Sequence, residues 1–108
     1  MKIKTANAVY TGGNIWLFYG KVADGVFFLT DDYGCTILLN ESPENFDVSL
    51  YAEWQEEHKI RELFGSERVD FCNSLLSWLE KKATKRQRGG ITNEEIDYYR
   101  NYMRNEIV

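Results

Sequence analysis

The first forty residues read as strands separated by turn chemistry, and after them the period of the apolar positions becomes helical. Ile3, Thr5, Asn7 and Val9 interleave with Lys2, Lys4, Ala6 and Ala8, which is strand spacing. Thr11-Gly12-Gly13-Asn14 interrupts the run with residues that tolerate positive φ. Ile15-Trp16-Leu17-Phe18-Tyr19 resumes it with β-favouring side chains. Asp24-Gly25 predicts a type I′ hairpin into Val26-Phe27-Phe28-Leu29-Thr30. Asp31-Asp32-Tyr33-Gly34 predicts a second tight connection, with Gly34 in the left-handed position, into Cys35-Thr36-Ile37-Leu38-Leu39. These runs make a four-stranded antiparallel β-meander.

After Asn40 the period changes. Ser42-Pro43 has the form of a cap followed by proline at the first helical position, and Asp47 is an alternative cap. Leu50, Trp54 and His58 share a helical stripe that Ile60 and Phe64 extend towards Gly65. A helix over this whole stretch is the favoured reading, with a fifth strand at Lys59–Leu63 as the alternative. Ser66 is the expected cap of the clearest helix, whose apolar side holds Phe71, Cys72, Leu75, Leu76, Leu79 and Ala83. Gly89-Gly90 separates it from a last helix. There Thr92-Asn93-Glu94-Glu95 is a capping box, Ile91 and Ile96 form the staple, and Ile96, Tyr99, Met103 and Ile107 form the stripe, widened by Tyr98 and Tyr102. The fold class is α+β: one domain over 1–108, with a four-stranded meander at 1–40, a possible fifth strand from Lys59–Leu63, and two or three helices from 41–108 packing the sheet.

Composition supports a packed core, since 44% of the residues are apolar. Two cysteines, Cys35 and Cys72, are too few for a disulfide framework and read as buried free thiols. No signal peptide or bilayer-length apolar run is visible, so a cytoplasmic protein without membrane contact is expected. The net charge of −4 is uneven: zero over residues 1–40, −7 over 41–80 and +3 over 81–108.

Candidate chemistry is thin, and no catalytic residue, cofactor or metal is expected. His58 is the single histidine, and its separations from Cys35 and Cys72 show no ligand spacing. Asp31-Asp32-Tyr33-Gly34 lacks the acid ladder of a calcium loop. The second and third strands, however, are apolar on both faces, where a sheet with one wet face would alternate. Either the domain's own helices cover both faces, or one face meets a protein partner or a second copy. Trp16, Phe18, Phe27 and Tyr33 are the interaction candidates on that argument, and a non-enzymatic interaction or regulatory module is the favoured function. Lys81, Lys82, Lys85, Arg86 and Arg88, in a run without an acid, are the candidates for an alternative nucleic-acid-binding role. A small enzyme whose pocket is invisible in the sequence is a further alternative. The acidic stretch Glu41–Glu57 reads as a solvated helix side.

The combination of Tyr10-Thr11-Gly12-Gly13-Asn14-Ile15-Trp16, Leu29-Thr30-Asp31-Asp32-Tyr33-Gly34 and Arg88-Gly89-Gly90-Ile91-Thr92 resembles short uncharacterised proteins carried on mobile elements of Gram-positive bacteria. The resemblance covers most of the chain. It implies an accessory protein and supplies no activity, ligand or site residue.

Overall fold

The computed structural model of the chain describes residues 2–107. Five antiparallel strands form one sheet in sequence order: β1 (Thr5–Tyr10), β2 (Trp16–Ala23), β3 (Val26–Asp31), β4 (Thr36–Leu39) and β5 (Lys59–Leu63). Four helices follow or interrupt them: α1 (Tyr51–His58), α2 (Gly65–Lys81), the short α3 (Lys85–Arg88) and α4 (Asn93–Tyr102), which continues into a wider π turn. The α+β class and the N-terminal meander are as expected. Among the described residues no helix is long and apolar enough to cross a membrane.

The turns follow their chemistry with one change. Gly34 has φ of +89° and Asn14 of +62°, as the turn residues predict. Between β2 and β3 only Gly25 is left-handed, so the Asp24-Gly25 turn is not type I′, which needs positive φ at both central residues. A bulge between Lys21 and Ala23 supplies the local twist that a I′ turn would otherwise give.

The segment Lys59–Leu63 is a strand, and the helix expected to run through to Gly65 stops at His58. Burial explains the switch. Every residue of β4 is buried, so its outer backbone groups need partners away from water. β5 provides them, pairing Thr36 with Leu63 and Ile37 with Glu62. Upstream, no helix starts at Ser42-Pro43; the Ser42 hydroxyl accepts from the Glu44 N–H at 3.3 Å within a turn. Asp47 caps a short 3-10 turn (Val48–Leu50), its carboxylate accepting from the Ser49 N–H at 2.9 Å. Nor does Ser66 cap α2, which begins at Gly65 with no side-chain cap. The capping box on α4 is present, with Thr92 accepting from the Glu95 N–H and the Glu95 carboxylate accepting from the Thr92 N–H. Its stripe is buried at Ile96, Tyr99 and Met103, while the Ile107 side chain lies outside the described residues.

Both faces of the sheet are covered. On one, Ala6, Ala8, Phe18, Phe28, Leu38 and Leu63 pack against Phe71, Cys72, Leu75, Leu76 and Leu79 of α2 and Ile96 and Tyr99 of α4. On the other, Leu29, Ile37 and Leu39 lie beneath Phe46, Tyr51 and Trp54, from the connection between β4 and β5. The surplus apolar face is therefore covered by the chain itself. Gly89 ties the helical part to the sheet edge. Its φ is +59°, and a Cβ there would collide with the Ala8 carbonyl of β1.

Candidate functional site

The four aromatic candidates part company in the fold. Phe18 is completely buried under α4, its ring 6.1 Å from that of Tyr99, and is a core residue unable to reach a partner. Phe27 is half-buried among the residues beneath α1. Trp16 and Tyr33 instead lie at the same end of the sheet, lining neighbouring clefts that share Asn14 and Tyr99. The β1–β2 turn, the β3–β4 turn and the exposed side of α4 converge there.

Trp16 opens β2 and is fixed at both ends. Its backbone N–H donates to Asp32 Oδ2 at 3.2 Å, and its indole Nε1–H donates to Glu95 Oε2 at 3.0 Å. Glu95 thus serves the α4 cap with one oxygen and the sheet with the other. Tyr10 lies 5.3 Å from the Trp16 ring and donates its hydroxyl to Asn14 at 3.2 Å. On the far side, Tyr33 stands edge-on to Tyr102 at 5.9 Å, and Tyr98 to Tyr99 at 5.5 Å. Helical spacing puts Tyr98 and Tyr102 one turn apart, so both reach the same end. Tyr10, Tyr33 and Tyr98 are each about half exposed or more, at 49%, 57% and 64%.

Asp31 and Asp32 have different tasks in the β3–β4 turn. Asp31 Oδ1 accepts from the N–H groups of Tyr33 and Cys35, each at 3.0 Å, and builds the turn. Asp32 is only 7% exposed. Its Oδ2 accepts from Trp16 and, at 3.4 Å, from the Tyr99 hydroxyl, while its Oδ1 is buried with no partner. Burial raises the Asp32 carboxyl above the ordinary aspartate range against the pull of these hydrogen bonds, and burial also raises Asp31. Burial first, then the nearby Asp32, pushes the Tyr99 phenol up. Among the described residues no Lys, Arg or His pairs with Asp31, Asp32 or Glu95. A cleft of about 150 Å³ opens here between Asn14, Asp32 and Tyr33 on the turns and Tyr98, Tyr99 and Tyr102 on α4.

The basic run divides. Lys81 and Lys82 border a cleft with Lys2 at the end of α2. Arg86, on α3, borders another cleft with Glu44 and Tyr19, and Lys85 is exposed. Arg88 is half-buried and donates to Asn93 at 2.8 Å. The remaining reactive types are engaged elsewhere. His58 stacks on Trp54 at 4.7 Å and bonds to Glu41. Cys72 is buried against Thr30 and Thr36, and Cys35 accepts from Gln55, so neither sulfur bonds to His58. Both thiols are free.

Sequence reasoning placed Trp16 and Tyr33 at a surface but missed Asp32, Glu95, Tyr98 and Tyr99. The tandem Asp31-Asp32 reads as a turn, and the tyrosines read as a core stripe. No family model matches the chain, and comparison with curated proteins and with solved structures found no match either.

Proposed function

We propose that the chain is a non-enzymatic interaction module that binds a protein partner, or a second copy of itself, through the tyrosine-rich end of its sheet. One observation carries this reading: exposed rings from three separated segments gather around a buried carboxylate that the fold leaves half satisfied. Tyrosine and tryptophan give large contact area at low ordering cost, which is why they are enriched at interfaces. A buried acid with an unpaired oxygen costs stability, so packing alone does not account for its presence. The resemblance to accessory proteins of mobile elements agrees with a small module of this kind.

The test is site-specific photo-crosslinking. A photoreactive residue at Tyr33 should give a discrete adduct in extracts of the source cells, and the same residue at Asp70, exposed on α2, should not. An adduct at twice the chain's mass identifies a second copy as the partner. Equal adducts from both positions, or none from Tyr33, would refute the reading.

A second reading, nucleic-acid binding, is favoured by Lys81, Lys82 and Lys85, which are exposed and have no acid partner among the described residues. A Lys85/Arg86/Arg88 triple alanine variant that binds duplex DNA and RNA as the parent does would exclude it.

A further inference from the structure

The second half of α2 carries a cleft of a different character. Asn73, Ser74, Ser77, Trp78, Lys81 and Lys82 recur at helical spacing, share one side of the helix end and line a space of about 490 Å³. Lys2 and Ile3 border it from the start of the chain. Ile3 packs against the core and the Lys4 N–H donates to the Lys21 carbonyl at 2.8 Å, so the segment that carries Lys2 is tied to the sheet. Every polar side chain on the wall can donate a hydrogen bond, and no carboxylate lines it. Lys2, Lys81 and Lys82 are exposed and have no acid partner among the described residues. Glu80, next to Lys81, is held by Arg100 at 2.9 Å. The Ser77 hydroxyl accepts from Arg100 at 3.2 Å and keeps its own proton to donate.

Basic residues at a helix C-terminus offset its negative end, which accounts for Lys81 and Lys82. Lys2 has no such reason to be there. Three ammonium groups around one cleft repel one another until an anion joins them. A metal ion or an organic cation would meet the three positive charges without a carboxylate to hold it. The space lies within the roughly 300–1,000 Å³ of small-molecule sites and exceeds what a bare phosphate fills. Trp78 is half-buried and adds an aromatic wall, the kind of surface on which unpaired bases stack. A nucleotide supplies both parts, phosphates for the lysines and a base for the indole. In a duplex the bases are already stacked on one another, so the cleft suits an unpaired one.

We propose that this cleft binds a nucleoside phosphate, free or as a unit of a single strand, with its phosphates held by Lys2, Lys81 and Lys82 and its base against Trp78. The site shares no residue with the tyrosine-rich end of the sheet or with α3. A failed crosslink at Tyr33 therefore leaves it standing, and its own failure leaves that interface standing.

The full chain is titrated with ADP, UDP, their free nucleosides, pyrophosphate, a short oligothymidylate and a short oligoglutamate, and the Trp78 indole N–H resonance is followed by NMR. ADP or UDP should bind at least about tenfold more tightly than its nucleoside, because charge-assisted bonds to phosphate are the strong ones. The same nucleotide should also bind more tightly than pyrophosphate. Lys2→Gln and Lys81→Gln should each weaken it by about threefold or more, the scale of one exposed charge contact, and Lys85→Gln should leave it unchanged. Oligothymidylate binding more tightly than either nucleotide, and weakened by Lys2→Gln, identifies a strand as the source of the phosphate. Nucleosides or oligoglutamate binding as tightly as the nucleotides, pyrophosphate matching them, affinity unchanged in both Lys2→Gln and Lys81→Gln, or no response to any phosphate probe would overturn the proposal.

Discussion

Asp32 holds a carboxylate in a place that favours its protonated form. Because burial raises its folded-state pKa above the unfolded value, the folded chain binds more protons than the unfolded chain across the interval between the two. Stability on account of this group is therefore full below the unfolded aspartate value, about 3.9, and declines as pH rises through the folded value. Asp32→Asn should remove that decline. Thermal or urea unfolding should show the variant gaining on the parent from acidic to neutral pH and exceeding it at pH 7. A difference independent of pH would show that Asp32 carries no such burden. A gain in stability on removing this charge would show that Asp32 does not serve packing. This position was legible in the sequence only as a turn, because what distinguishes it arrives from Trp16 and Tyr99, far away along the chain. Trp16 and Tyr33 were legible as unusual aromatics, yet the argument that selected them also selected Phe18, which is core.

At the scale of elements, α4 is set by its first turn. Thr92 and Glu95 exchange hydrogen bonds, and Ile91 and Ile96 are both buried, at 3% and 0% exposure. Thr92→Ala should cost about 1 kcal/mol by chemical denaturation, the usual value of a lost cap. Glu95→Ala should cost more, because it removes both the capping bond and the acceptor of the Trp16 indole. Equal losses would mean that the indole bond contributes nothing to stability. The strands β1 to β4 and the helices α2 and α4 were readable, since turn chemistry and capping act over a few residues. β5 was not. Its Lys59-Ile60-Arg61-Glu62-Leu63 sequence suits a helix as well as a strand, and the decision comes from the unpaired side of β4, a demand made by tertiary structure. The four-residue α3 also escaped notice, although Thr84 and Gln87 form a capping box of their own.

For the molecule as a whole, charge and coverage decide what the surface can do. Acidic residues of 41–57 lie mainly on the outside of α1 and its approach, while bases gather at the end of α2 and on α3. If the bases do bind nucleic acid, about five phosphate contacts would weaken duplex affinity roughly 500-fold between 50 and 200 mM salt. A salt response much flatter than that, measured by fluorescence polarisation, would mean that the basic run is a solvated surface. Coverage of the second sheet face by Phe46, Tyr51 and Trp54 was one of two outcomes open in the sequence. The choice could not be made there, because the helical stripe through Trp54 shows an apolar side without showing which sheet face it covers.

The contact of Gly89 with Ala8 has a consequence for assembly. With the α3–α4 connection pressed against β1, that margin of the sheet offers no room for an added strand. The opposite margin, β5, has Lys59 and Arg61 to discourage pairing, carries the exposed Ile60 and is followed by the exposed Phe64. A fibre built by strand addition needs two open margins per molecule. With one margin obstructed at Ala8, edge-to-edge association through strands would stop at a pair.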